Sequence, residues 1–452
     1  MNFRNIGENT PIENAECIIT KRKKHRGQFS YLVTDGEGEL EFESGRFMQV
    51  GNELCVSGTV ERQYGFLQIT KPRIEPAEGI YAGILAKVEE NVKVVDVPFL
   101  VSGEIMDKLR PEIMLCAKKI LTAKKMGRHA RLRFHSDADG ITGALAITKM
   151  LKRAYTHQQN SATYSVYDSM RDIGNLQSEK SPLVILLDFA CGAESAEGLK
   201  LLKASGAEII IIDHHPNEGN AGENCSLLVN PWSISRGENA SSYVAGYLAV
   251  EIARACGEEN AAELAPIACA GDKSTILPVS EKAKEMAIVL DYMATYSGFG
   301  NKLDFYKNAL ENKELYYSVL VQAKESLDRI TDEVKAHMKK RYDGEVSVYT
   351  IDTERVKSKE FPGKGKITTR GFELVEDPAV VLGVWKNGLS FRITDGAIKK
   401  GIKANEIISA LKEEMPDFIE GGGGHARAAS LRIREGFVDS VVEKIIEKVK
   451  AA

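Results

Sequence analysis

The chain has 452 residues, 43% of them hydrophobic and 27% charged, a globular composition long enough for two to four domains. Its formal net charge of -4 excludes a polybasic coat, so nucleic acid would have to be held by local patches and a groove, with bound metal supplying positive charge. The N-terminal stretch lacks the basic and apolar regions of a signal peptide, no apolar run spans a bilayer, and seven scattered cysteines without a CxxC pair read as buried free thiols, which together predict a cytoplasmic protein.

From about Ala15 to Glu78 the runs SYLVTDGEGELEFES and NELCVSGTVERQYGFLQITKP alternate and are divided by turn signals, the pattern of a small all-β module. Val56, Gly58, Val60, Gly65, Gln68 and Ile69 resemble the end of an OB-fold, a barrel that often holds single-stranded nucleic acid. The basic run Lys21 to Arg26, with Phe29, Tyr31, Tyr64 and Phe66 nearby, predicts a strand-binding groove with stacking platforms. The competing reading of each aromatic is barrel core. Residues 80–127 have helical spacing, clearest from Glu104 to Lys125, with Pro98 and Pro111 predicted to divide the helix.

From Arg128 the rhythm becomes strand then helix. Arg131 to Phe134 reads as a strand, Ile141 to Tyr155 as a helix, Thr163 to Tyr167 as a strand, and Leu183 to Leu187 and Ile209 to Ile212 as fully apolar strands. Apolar strands alternating with helices imply a parallel sheet covered on both faces, whose ligands collect beyond the carboxyl ends of its strands. After Ser241 the chain reads as mostly helical to about Tyr342, and the remainder as a separate α+β domain with strands at 346–351, 379–385 and 389–394 and helices at 404–414 and 437–452.

Chemistry-bearing residues fall where the strands of the sheet should end. His135, Asp137 and Asp139, in HSDADG, share one face of an extended segment, and Gly140 turns the chain into a helix. A polar loop with Asp139 as helix cap is the competing reading. Asp188 follows LVILL, and Asp213-His214-His215 follows IIII. A carboxylate at the end of an apolar strand is costly unless paired or metal-bound, so three such ends point to one shared site. Asp272, after a helix of small residues and a glycine, is a further ligand candidate, with an ordinary turn as its alternative.

HSDADG, an apolar strand ending in Asp, DHH and the later acid together resemble the motif series of the DHH phosphoesterase superfamily, and Gly421 to Ala429 resembles the GGGH motif of its DHH-associated domain. The pairing resembles RecJ-like single-strand nucleases over roughly residues 128–445. The resemblance implies metal ligands at His135, Asp137, Asp139, Asp188, His214 and Asp272, with His135 the loosest match, since many bacterial relatives have Asp there. It implies Asp213 as an orienting acid and His215 facing the scissile phosphate. It also implies substrate contacts from Gly422, Gly423, Gly424, His425 and Arg427, and from Arg392 in Ser-Phe-Arg. A flexible glycine loop and a surface arginine on an edge strand are the competing readings there.

The predicted class is α/β: a parallel-sheet DHH domain plus a C-terminal α+β DHH-associated domain, preceded by a small all-β OB-like module. The predicted boundaries are 1–80 for the module, 81–127 for a helical connector, 128–300 for the DHH domain, 301–342 for a helical linker and 343–452 for the associated domain. Carboxylates plus imidazole without thiolate suit two divalent ions, manganese before magnesium, and such ions about 3.5–4 Å apart activate water and clamp phosphate oxygens. The expected activity is exonuclease digestion of single-stranded DNA, or RNA, to mononucleotides in repair or replication. The early position of the β-module is closer to archaeal relatives, which implies 3′→5′ polarity and a repair helicase/nuclease partner such as Hef. No membrane partner is expected, and homo-oligomers stay open. The alternatives are a phosphodiesterase on short oligonucleotides or cyclic dinucleotides, and a catalytically silent scaffold of a replication or repair complex.

Overall fold

The computed structural model describes residues 2–451 apart from 26, 64, 236–237, 297–302 and 359–360. Tyr64 and Arg26 of the predicted groove therefore lie outside the described residues.

The first five strands, β1 (Pro11–His25), β2 (Gln28–Thr34), β3 (Glu39–Ser44), β4 (Glu53–Gln63) and β5 (Phe66–Pro76), close into a barrel in the order β1-β2-β3-β5-β4. Alternation makes the closure work: Cys17 and Ile19, Tyr31 and Val33, and Val56 and Val60 turn inward onto one core. Tyr31 is not a stacking platform but part of that core. It is wholly buried, and its hydroxyl donates to the carbonyl of Arg46 and accepts from the backbone N–H of Met48. Among the described residues of the barrel the exposed aromatics are Phe66 and Phe47, with the Arg22 guanidinium 4.3 Å over the Phe47 ring.

The helix Glu104–Met126 follows, and Pro111 lies inside it without ending it, contrary to expectation. Its buried stripe, Met106, Leu109, Ile113, Ala117 and Ile120, joins the core of the parallel sheet, and that packing outweighs the lost backbone bond.

The central sheet contains β6 (Ala130–His135), β7 (Ala154–Gln159), β8 (Leu183–Leu187), β9 (Glu208–Ile212) and β10 (Leu227–Val229), all parallel, in the order β10-β9-β8-β6-β7. The chain moves outward from β6 to β7 and returns across β6 to β8, so the topological switch lies between β6 and β8. The strand expected at 163–167 is absent. Ser165 and Asp168 form a capping box there and start the helix Val166–Leu176, while the Tyr- and Thr-containing stretch 154–159 makes the strand and the preceding helix stops at Thr148.

The C-terminal sheet has β11 (Met338–Tyr342), β12 (Ser347–Asp352), β13 (Ala379–Trp385), β14 (Gly388–Ile393), β15 (Ile419–Gly424) and β16 (Ala428–Ile433), in the order β11-β12-β13-β14-β16-β15. Residues 338–342, expected at the end of a helix, form β11 instead. The four glycines are neither loop nor turn: they end β15, an edge strand paired on one side with β16. Among the described residues no helix is long and apolar enough to cross a membrane.

Candidate metal centre

The carboxyl edge of the parallel sheet delivers its acids and imidazoles to one place. β6 ends in His135, and Asp137 caps the helix Ala138–Thr148 by accepting the backbone N–H of Gly140 at 3.0 Å, so the cap is Asp137 and not Asp139. Gly140 is needed because a β-carbon there would collide with the backbone of His135. Asp139, in the first turn of that helix, is fully buried. Its two carboxylate oxygens accept the N–H groups of Ala245 and Gly246, each at 2.9 Å, from the first turn of the helix Ala245–Ala255. A helix N-terminus favours the carboxylate. Burial and the neighbouring Asp188 and Asp272 nevertheless push its pKa well above the carboxylate range, a conflict that a cation between these acids would relieve.

Asp188 sits immediately beyond β8 with φ of 67°, in the left-handed region that a non-glycine residue adopts at a cost. That turn aims its two oxygens in different directions. Oδ2 lies 3.5 Å from His135 Nδ1, and Oδ1 lies 3.4 Å from His214 Nε2. His135, Asp137 and Asp188 bring ligand atoms within 4.8 Å of one another, and so do Asp139, His214 and Asp272. Asp188 thus stands between two groups of donors. Its Oδ1 and the Nε2 of His214 are both buried without a hydrogen-bond partner, a cost that a pair of cations would remove. The oxygen and imidazole donors present fit divalent ions of the manganese and magnesium type.

Asp213 is saturated. Oδ1 accepts the N–H groups of His214 and His215 and lies 2.8 Å from His215 Nδ1, and Oδ2 accepts the N–H of Cys191. Burial would raise the Asp213 pKa, but His215 and these donors hold it far below the usual carboxylate range. Burial would likewise lower His215, and the Asp213 carboxylate raises it instead. The His425 ring stacks on His215 at 5.0 Å between centroids, while burial and the nearby His215 and His214 hold His425 well below the ordinary imidazole value.

A cleft of about 910 Å³ opens beside Asp137 and Asp272 and is lined across the domain boundary by Lys366, Arg370, Arg392 and Phe361. Arg392 lies on β14, an interior strand and not an edge, and its guanidinium is oriented by Thr369 Oγ1 at 2.9 Å and the carbonyl of Gly365. Among the expected glycine donors, the N–H of Gly422 faces Glu194 Oε1 at 3.2 Å. Gly423 and Gly424 continue the same edge strand toward His425. Arg427 is directed elsewhere, into an ion pair with Asp395 at the surface.

Sequence reasoning missed Lys366 and Asp291. Asp291 accepts the N–H of Ala138 in the metal loop and pairs with Lys366 of the C-terminal domain. The available signal was a carboxylate inside the apolar helix Glu281–Thr295, a position expensive enough to require partners.

Residues 133–271 match the DHH family N-terminal domain and residues 373–451 match the DHHA1 domain. The chain thus carries the DHH and DHHA1 domains of the DHH phosphoesterase superfamily, in that order. An uncharacterized protein of Methanocaldococcus jannaschii is 27% identical over 89% of this chain, which spans 63% of that relative's length. A solved structure described as the DHH domain of a member of the S1p family of ribosomal proteins is 26% identical, with a TM-score of 0.73 over 82% of this chain and 97% of that one. RecJ of Thermus thermophilus in complex with Mn²⁺ is 16% identical, with a TM-score of 0.49 over 75% of this chain and 55% of that one. The donors at the ends of β6, β8 and β9 all lie within or at the edge of the DHH match. Asp272 lies one residue beyond its end, and the glycine strand, His425 and Arg392 belong to the DHHA1 match.

Proposed function

We propose that this DHH protein is a divalent-metal-dependent exonuclease that digests single-stranded nucleic acid to mononucleotides in the cleft between its DHH and DHHA1 domains. The observation that carries the reading is the position of Asp188 between two donor groups, with its Oδ1 and His214 Nε2 buried 3.4 Å apart and neither of them hydrogen-bonded. His135, Asp137 and Asp188 would hold one ion, and Asp139, His214, Asp272 and the second oxygen of Asp188 the other. When bound, such ions supply a water nucleophile at neutral pH and neutralise phosphoryl charge.

The residues of the chain do the rest. Asp213 fixes His215 through Nδ1 and favours its protonated form, so that its Nε2–H faces the phosphoryl group and stabilises the charge that develops there. Arg392 and Lys366 hold the nucleotide phosphate from the C-terminal domain, and Gly422, Gly423, Gly424 and His425 of the same domain supply further phosphate contacts. The barrel, read as an OB-like module with Arg22, Phe47 and Phe66 exposed, supports long strands over dinucleotides as substrates. A likeness to a protein named among the ribosomal proteins keeps RNA beside DNA as the strand.

We read the polarity as 3′→5′, the protein as cytoplasmic, and its partner as a repair helicase/nuclease of the Hef kind. The test is digestion of linear single strands labelled separately at each end, and of circular strands, with manganese and with magnesium. Release of the 3′-terminal mononucleotide first, with circles intact, is the expected result. Equal cutting of circles would exclude an exonuclease, and early release of the 5′ nucleotide would reverse the polarity.

A further inference from the structure

Two buried imidazole nitrogens face the centre without a hydrogen bond, the Nε2 of His214, which lies 3.4 Å from Asp188 Oδ1 and 3.1 Å from Asp272 Oδ2, and the Nε2 of His425. The proposed roles of the two rings require opposite tautomers: a ligand needs a free lone pair on Nε2, whereas a phosphate donor needs a hydrogen there. Both rings are held through Nδ1 by the same residue, Ser241 of the DHH domain.

His214 Nδ1 lies 2.8 Å from the backbone carbonyl of Ser241. A carbonyl oxygen only accepts, so Nδ1 carries the hydrogen, and in the neutral ring Nε2 is left with its lone pair. His425 Nδ1 lies 2.8 Å from the hydroxyl of Ser241, and that hydroxyl also receives the indole N–H of Trp232 at 3.0 Å. An indole nitrogen only donates. The hydroxyl has room to accept twice but one hydrogen to give, and of its two side-chain neighbours only His425 Nδ1 can accept it, so the satisfied arrangement has Ser241 donating to His425 Nδ1 and the hydrogen of the neutral His425 ring on Nε2. Trp232 is itself anchored, since its N–H is shared with the carbonyl of His214 and its backbone N–H is received by Asn230 Oδ1.

We propose that Ser241 is the positioning residue that sets the two histidines in opposite tautomers, His214 as an electron-pair donor to a cation and His425 as a hydrogen donor to a phosphoryl oxygen. This deepens the exonuclease reading and rests on it for the two roles; the assignment of tautomers stands on the hydrogen bonds alone. His425 lies on the DHHA1 domain, so the bond that sets its tautomer crosses the domain boundary.

The test uses the full chain labelled with ¹⁵N-histidine in magnesium, with long-range ¹H–¹⁵N correlations reporting each ring's tautomer. In the unaltered protein we expect Nδ1–H for His214 and Nε2–H for His425. Ser241→Ala removes the hydroxyl and keeps the carbonyl, so His425 should shift toward a mixture while His214 and the bound-metal stoichiometry stay unchanged. Ser241→Thr should restore the His425 pattern. In strand hydrolysis Ser241→Ala should lower kcat/KM about tenfold, the low end for loss of an outer hydrogen-bond partner. It should add no loss to His425→Ala. An unchanged Nε2–H tautomer in Ser241→Ala, or losses that multiply in the double variant, would overturn the proposal. If no strand is hydrolysed by the unaltered protein, the exonuclease reading fails, while the spectra still decide the tautomers.

Discussion

Lys366 of the C-terminal domain is ion-paired with Asp291 of the DHH domain, and the second oxygen of Asp291 accepts the N–H of Ala138 at 2.9 Å. One carboxylate therefore ties a cation of one domain to the metal loop of the other, beside Asp137 and Asp272 in the cleft. Lys366→Ala is expected to cost about 10²-fold in kcat/KM on a single strand, the usual scale for losing one donor to developing phosphoryl charge, with metal content unchanged. Asp291→Ala should also lower stability by about 1–3 kcal/mol, because the buried N–H of Ala138 is left without an acceptor. Denaturant melts and metal analysis of the two variants separate these effects.

Binding of the ions should depend on pH in a determined direction. Burial alone would lower the pKa values of His135 and His214, but Asp137 beside the first, and Asp188 and Asp272 beside the second, hold both well above the ordinary imidazole value. Without a cation these carboxylates favour the protonated rings, so a ligating ion competes with protons. Affinity for manganese should rise with pH, and calorimetry at pH 7 in two buffers of different ionisation enthalpy should show release of about one to two protons. The same raised values stabilise the metal-free chain below about pH 6.5, and that contribution is lost as pH rises through them. The melting temperature of chelator-treated protein should therefore fall from mildly acidic to mildly alkaline pH, and a flat profile would contradict the assignment.

Asp188→Asn keeps a residue type tolerant of the left-handed conformation and removes the charge shared by the two donor groups. The expected result is loss of one of two bound ions by mass analysis and a fall in hydrolysis of at least about 10²-fold. Two ions retained with full activity would remove Asp188 from between them.

Glu194 occupies the Gly422 N–H that a strand phosphate would need. Glu194→Ala should therefore tighten single-strand binding about fivefold, the scale of one competing hydrogen bond. Gly422→Ala should do the reverse. At φ of 140° its β-carbon would collide with the Ser430 carbonyl on β16 and disrupt the edge strand. Fluorescence anisotropy with a labelled strand reads both.

Arg22 over Phe47 forms the exposed aromatic and basic patch of the barrel. The double variant Arg22→Ala, Phe47→Ala is expected to weaken binding of a long strand by about 1–3 kcal/mol per lost stacking contact while leaving dinucleotide hydrolysis unchanged. Equal effects on both substrates would detach the barrel from strand binding.

The residues of the sheet edge were legible one strand at a time because each local pattern carries its own constraint. LVILL and IIII can be buried only as covered strands, and the polar residues that follow must then lie at one edge. HSDADG, Asp188 and DHH identify that edge without any knowledge of distances. Local signals failed where packing outweighed them: Pro111 inside a buried helix, Tyr31 drawn into the barrel, and the strand at 154–159 displaced from its expected place by a capping box eleven residues downstream of its start. Tertiary structure alone decided the rest, because hydrogen bonds between residues far apart in sequence leave no local pattern. Asp188 between His135 and His214, Asp291 between Ala138 and Lys366, and Ser241 between His214 and His425 arise only when one carboxylate, helix or domain is brought against another.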